Sequence, residues 1–446
     1  MTENGKLTPL IVPSSEHPLS RKNIDRDALT VLNRLRDAGF ISYLVGGCVR
    51  DLYLGNKPKD FDISTEARPG QVRKLFRNSR VIGRRFRLVQ VFFKDDKIIE
   101  VSTFRRAGEY DLKGLDKVLP SNNTFGNASE DAFRRDLTIN ALFCDIDKFS
   151  IIDYAGGMAD IKNGIVRMVG DPDRRITRDP VRMMRVIRHA ARNNFIIEKN
   201  TWDAVRHHCK ELTLCPPSRI YDELFKDLRG GAVEKWAGLA IECGLFFVIF
   251  PCYKNLISDD EKSLEKASSK AGGKGALSQL LDIFRVIDRL HAQARQIPDH
   301  MIMSLILMPW AEAEKGLTSV KRKGREAFIF SRELRAYIGS AFSHLNIKRA
   351  MIEGITTLLS NFPAFQQHEK DHSWPAWFKK KSYFQEGLLF YGLCCESQGG
   401  KKVGSQMLPA FSRQKRKPAK HSSGRGNRGP AFDIKSKGGV FGFKKK

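Results

Sequence analysis

From residue 24 to 38 the apolar side chains fall at Ile24, Ala28, Val31, Leu32, Leu35 and Ala38, the spacing of one face of an amphipathic helix. Gly39 stops it. The pattern then shortens. Residues 41–45 predict a strand, Gly46-Gly47 a turn, 48–54 a short helix closed by Gly55, and 60–63 a second strand. A helix over 69–76 and strands near 80–82, 88–93 and 97–103 follow. Strands mixed with helices through about residue 150 predict one α+β domain.

After Gly157 helical periodicity takes over, at 180–193, 201–212, 217–228 and 233–247. Residues 258–275 are rich in Ser, Lys and Gly and predict a mobile loop, after which helical pattern resumes from 276 to about 393. Only the first third of the chain reads as sheet-containing.

Charge adds a statement about partners. The 446 residues carry 77 Lys or Arg against 50 Asp or Glu, a net charge of +27, which favours polyanions: nucleic acid first, an anionic membrane surface second. Residues 411–446 hold 12 of those bases and one acid (Asp433), so the remainder, with 65 bases and 49 acids, is still +16. The tail cannot bury a core and is expected to be disordered when free. At 41% hydrophobic residues the rest has material for real cores, in two to four domains by length. Eight scattered cysteines form no C-x-x-C pair, and His207-His208-Cys209 are consecutive and cannot share a helix face, so inert thiols in a reducing compartment are expected. With no secretory pattern at the start and no apolar run near the ~20 residues a membrane span needs, a soluble intracellular protein is expected.

The candidate chemistry begins at Lys59-Asp60-Phe61-Asp62. Residues i and i+2 of a strand share a face, so Asp60 and Asp62 are expected side by side. Adjacent carboxylates repel unless a cation lies between them, and Mg²⁺ bridging to substrate phosphates is the usual resolution. Alone, a D-x-D reads as a solvated strand end. Here LVGGCVRD (44–51) precedes it: a strand, a glycine pair and a helix start, where backbone can approach a ligand and N–H groups favour phosphate. Arg50 adds a charge-assisted contact. Glu100, a lone charge on the apolar run IIEVST, is a candidate third carboxylate, with an ion pair to Arg105 as its alternative. Three such acids point to in-line transfer at a phosphate.

LVGGCVRDLYLGNKPKDFDIST, RRDLTINAL and RDPVRMMRVIRHAAR, together and in this order, closely resemble the class II tRNA nucleotidyltransferase and bacterial poly(A) polymerase family, over about residues 20–250. The resemblance implies an N-terminal extension (1–22), a catalytic nucleotidyltransferase head with a small mixed β-sheet and helices (23–150), and an all-α remainder. That remainder comprises a neck for nucleobase recognition (151–215), a body and RNA-binding region (216–410) and a basic, disordered RNA-binding tail (411–446). It also implies template-independent nucleotide addition to RNA 3′ ends, with two Mg²⁺ ions and ATP as substrate. Residue by residue, it gives Gly46, Gly47 and Arg50 to the triphosphate and Asp60 and Asp62 to the metals. Arg135 and Asn140 support the nucleotide. Glu100 is the third carboxylate, with Asp136 competing, and a structural ion pair is the alternative for Arg135 and Asp136.

In the neck, Asp179 before Pro180 reads by itself as a helix N-cap, and Arg182, Arg185 and Arg188 line one side of the helix. In the family the residues matching Asp179 and Arg182 read the base edge, with Arg185 and Arg188 toward the nucleotide. Arg178 departs from the family pattern, which usually has an acid there. The family divides into enzymes that build CCA on tRNA and enzymes that add poly(A). VIGRRFRLVQV (81–91) resembles the latter's signature, departing at Gln90 where His is usual. SSEHPLSRKNI (14–24) and the basic tail, whose Phe432, Phe441 and Phe443 suit base stacking, resemble the polymerases too. The resemblance therefore implies cytoplasmic poly(A) addition to mRNA and other transcripts, with the RNA-degradation machinery as a candidate partner and no membrane. CCA addition to tRNA is the alternative within the class. From other classes come a non-catalytic RNA-binding protein, against which the intact D-x-D counts, and a metal-dependent phosphohydrolase, for which the ten histidines form no pattern.

Overall fold

The structure, a computed structural model, describes residues 2–3, 6–83, 87–106, 124–257, 275–320, 322–371 and 373–404. The first helix, α1 (Arg26–Asp37), begins where the Asp25 carboxylate accepts the N–H groups of Asp27 at 2.9 Å and Ala28 at 3.3 Å. It buries Ala28, Val31, Leu32 and Leu35, the stripe its periodicity predicts.

Eight strands form one sheet: β1 (Leu10–Val12), β2 (Ser42–Val45), β3 (Asp62–Thr65), β4 (Ser79–Ile82), β5 (Leu88–Phe92), β6 (Ile98–Thr103), β7 (Leu142–Asp145) and β8 (Ser150–Asp153), in the order β1-β8-β7-β2-β3-β6-β5-β4. Every pairing is antiparallel except β3 with β6. The reading of the sequence missed β1, β7 and β8, whose runs of three or four residues are too short for a period to show. The second strand also starts later than expected. Gly46, at φ 75°, carries the chain out of β2, so residues before Asp62 have no partner on that side, and Asp60 lies just ahead of β3.

Between and after the strands run α2 (Gly47–Tyr53), α3 (Pro69–Leu75), α4 (Ala128–Arg134) and α5 (Gly157–Lys162). The helical part continues with α6 (Pro172–Arg178), α7 (Arg182–Asn193), α8 (Lys199–His208), α9 (Pro217–Leu228), α10 (Val233–Glu242) and α11 (Leu245–Ile249). Two expectations are corrected here. The helix over 233–247 is broken at Gly244, whose φ of 84° ends one helix and starts the next. The neck is not wholly helical, because Ile165–Val166 pairs in parallel with Ile196–Ile197. Six helices follow: α12 (Ala276–Ala292), α13 (Asp299–Lys315), α14 (Arg325–Ala341), α15 (Arg349–Lys370), α16 (Ala376–Lys379) and α17 (Phe384–Ser397).

One apolar core runs without a break from Leu44 and Ile63 of the sheet through Met183 and Ile187 of α7 to Leu280 and Leu305 of the later helices. All eight cysteines are free, and seven are buried. Among the described residues no helix is long and apolar enough to cross a membrane. The expectations for Arg84, Arg85 and Phe86, for the loop at 258–274 and for the tail at 411–446 fall outside the described residues.

Candidate active site

The parallel pairing of β3 with β6 sets Asp62 directly beside Glu100 and Ser64 beside Ser102. Alternation does the rest. Ile63, Ile99 and Val101 turn into the core, while Asp62, Ser64, Glu100 and Ser102 form a polar patch on the other face. Gln90, opposite Glu100 on β5, donates from Nε2 to Glu100 Oε1 at 2.9 Å, and the Ser64 and Ser102 hydroxyls meet at 2.7 Å. Gln90 stands out in the sequence only as a departure, and neither serine stands out, although the period of two puts both on the face of Asp62 and Glu100, Ser64 buried there and Ser102 partly so.

Asp62 is reachable by water yet surrounded by protein mass. Burial, then the neighbouring charges of Glu100 and Asp60, push its carboxyl up to about 6 against the pull of Arg135. The structure thus brings Asp60, Asp62 and Glu100 into one under-compensated acidic group. Among the described residues no three His, Cys, Asp or Glu side chains converge tightly enough to enclose a metal unaided. The paired carboxylates of Asp62 and Glu100 are oxygen ligands of the kind Mg²⁺ takes alongside water and substrate phosphate.

Beside this group, the Gly46-Gly47 turn is framed by two arginines. A side chain at Gly46 would come 3.1 Å from Arg135 Nη1, and one at Gly47 would come 3.6 Å from Arg50 Nη2. Arg135 also donates to Ser64 Oγ at 3.2 Å, pairs with Asp131 at 3.0 Å and lies 5.2 Å over the Phe143 ring. Its partner is therefore Asp131, not Asp136. Arg50 is buried and donates from both Nε and Nη2 to Asp51 Oδ1, with Asn140 Oδ1 and His189 Nδ1 on its Nη1. Those contacts engage four of the five N–H groups of a guanidinium. Asn140 Nδ2 also reaches His189 Nε2 at 3.2 Å. Burial and four surrounding arginines, Arg50 foremost, hold that imidazole well below its ordinary pKa, so it is neutral. His189 lies within RDPVRMMRVIRHAAR, where no local spacing marks it as a neighbour of Arg50.

Asp136 is not grouped with Asp62. It is clamped by Arg182 at 2.8 Å and by Arg185, which outweigh its burial and hold the carboxyl far below the usual range. Arg185 and Arg188 continue onto Glu223, at 3.2 and 2.5 Å, and Arg188 onto Asp227. Arg182, Arg185 and Arg188 of α7 do share one side, facing acids of the head and of α9. Asp179 is not the N-cap of α7. It ends α6, its N–H bonding to the carbonyls of Arg175 and Ile176, and Val181 starts α7. Its carboxylate instead takes a bidentate grip from Arg219, at 2.7 and 3.1 Å.

Residues 42–167 match the family model of the Poly A polymerase head domain, and residues 194–257 match that of the probable RNA and SrmB-binding site of polymerase A. Poly(A) polymerase I of Escherichia coli O6:H1 is 38% identical over 323 residues, covering 69% of this chain and 67% of that one. A CCA-adding enzyme of Lactobacillus helveticus is 40% identical over a shorter stretch of 200 residues, 45% of this chain and 49% of that one. Among solved structures, the Bacillus stearothermophilus CCA-adding enzyme in complex with CTP superposes with a TM-score of 0.56 at 23% identity over 84% of this chain and 78% of that chain, a likeness of fold. The chain belongs to the bacterial poly(A) polymerase family, and with it to the nucleotidyltransferases.

Proposed function

We propose that this protein adds AMP from ATP to RNA 3′ ends without a template, the RNA 3′-hydroxyl attacking the α-phosphate as pyrophosphate leaves. The observation that carries the reading is the in-register pairing of Asp62 with Glu100, with Asp60 adjacent, beside a glycine turn framed by Arg50 and Arg135. Asp60 and Asp62 would hold two Mg²⁺ ions, with Glu100, oriented by Gln90, as the third carboxylate. Bound there, Mg²⁺ supplies charge stabilisation at the attacking and leaving oxygens. The Gly46-Gly47 turn admits the triphosphate to the backbone, Arg135 faces it, and Arg50 with Asn140 fixes the turn. Asp136 anchors α7 to the head.

Asp179 and Arg182 offer an acceptor and a donor to a base edge. Arg219 takes one lone pair on each Asp179 oxygen and leaves the others available. Such a pair complements an amino group beside a ring nitrogen. Adenine and cytosine both have that arrangement, whereas guanine and uracil reverse it. The deciding experiment therefore offers ATP, CTP or both, with Mg²⁺, to an unstructured RNA and to a tRNA lacking CCA. Long ladders on the unstructured RNA with ATP alone are expected. Addition of only C, C and A to the tRNA would replace this reading with CCA synthesis, and no extension of either would end it.

A further inference from the structure

The last helices carry a surface that the site above does not use. Of the five tryptophans, Trp236 and Trp310 are buried and Trp202 and Trp374 partly so, but Trp377 is 60% exposed. It is nonetheless fixed. Its ring meets Phe378 edge-on at 5.5 Å and His368 at 6.1 Å. Phe378 in turn is buried among Phe365 at 4.8 Å, Trp374 at 6.3 Å and nearly parallel, and Phe384 at 5.5 Å. An indole is thereby held by an aromatic core while most of its surface faces water.

Three exposed lysines follow it, Lys379, Lys380 and Lys381, the last with Nζ 6.0 Å from the Trp377 ring. Residues 373–385 contain no Asp or Glu. The acids flanking that stretch are engaged elsewhere: Glu386 with His300 Nε2 at 3.1 Å, Asp371 with the Gln367 amide at 2.9 Å, and Glu369 with Tyr391. A fixed, largely exposed aromatic ring beside cations that form no ion pair among the described residues is the composition that binds single-stranded nucleic acid without regard to sequence, since every base has a π-face and every linkage a charge. An anionic membrane surface shares that chemistry. However, α16 is four residues long and offers one ring, not the apolar face an interfacial helix inserts.

We propose that Trp377 with Lys379, Lys380 and Lys381 forms a contact surface for single-stranded RNA, separate from the span at 194–257, the indole stacking on a base and the ammonium groups taking the flanking phosphates. The inference rests on RNA being the substrate. It is tested with the full chain by fluorescence anisotropy of an oligo(A) and of an abasic strand of equal length, at several salt concentrations. Trp377→Ala is expected to weaken oligo(A) binding about fivefold or more and to leave the abasic strand unchanged. Replacing the three lysines by Gln is expected to flatten the salt slope by about 2. The KM for ATP at saturating RNA stays unchanged in both, and the melting temperature stays unchanged in the lysine variant, whose side chains are exposed. Oligo(A) binding equal to wild type in both variants overturns the proposal. Loss of binding to phosphatidylserine vesicles, with RNA binding intact, overturns it in favour of a membrane. A wild-type chain that binds no RNA removes this inference and the polymerase reading together.

Discussion

Gly46 and Gly47 are neighbours under opposite physical demands. Gly46 sits at φ 75° and ψ −131°, a conformation reserved for glycine, and a methyl group there would press on Arg135 Nη1. Gly47 opens α2 with ordinary helical space around it. Gly46→Ala is therefore expected to cost about 1–3 kcal/mol of stability and to displace Arg135. Gly47→Ala leaves stability within about 1 kcal/mol or improves it, and lowers ATP affinity because the backbone can no longer approach the triphosphate. Thermal melts and ATP titrations of the two variants check this, and equal melting losses would contradict it. Asp62 makes a companion prediction. A carboxyl raised to about 6 by burial, Glu100 and Asp60 destabilises the fold when ionised at pH 7. Asp62→Asn should then melt no lower than wild type while losing nucleotidyl transfer. Mg²⁺ should raise the melting temperature of the wild type and not of the variant. A variant that remains active would refute the metal assignment.

At the scale of elements, α7 is a rod of which three arginines, Arg182, Arg185 and Arg188, are met by acids from elsewhere: Asp136 from the head, Glu223 and Asp227 from one face of α9. Burial pushes the Glu223 carboxyl up, but Arg185, Arg188 and Lys226 outweigh it and hold it at about 2. A carboxyl depressed on folding contributes stability that is present above its unfolded value, about 4.3, and is lost as the pH falls through the folded one. Glu223→Gln is expected to cost about 3 kcal/mol at pH 7. The gap from wild type should narrow below about pH 4.5 and close near pH 2, and urea melts across that range that keep a constant gap would exclude the ion-pair origin. The same helix marks what the sequence could and could not disclose. Its arginine spacing is local and legible, as are the alternation that exposes Glu100 and the glycine pair before α2. The partners are not, because Asp136 and Glu223 lie about 40 residues either side and only the fold selects them. Asp179-Pro180 looked like a helix start for the same reason: the capping signal is local, whereas Arg219, which claims the carboxylate, is 40 residues away.

Over the whole molecule, positive charge is divided between a part with its own +16 and a tail with +11 in 36 residues, twelve of them Lys or Arg. These act differently on a polyanion. Cations fixed on a folded surface set where RNA lies. Cations on a chain of low hydrophobicity add affinity wherever phosphates are within reach, and ordering them costs conformational entropy. If about half of the twelve tail cations engage single-stranded RNA, deletion of 411–446 reduces the slope of log K against log salt by about 4. Deletion should then weaken binding most at low salt, shorten the ladders made on long RNA, and leave the rate of a single AMP addition at saturating primer unchanged, because the acidic group on β3 and β6 is untouched. Salt titrations and ladder gels of the full and truncated chains test this together. An unchanged slope would assign the tail no role in RNA binding, whereas a lost single-addition rate would place it in the catalytic step.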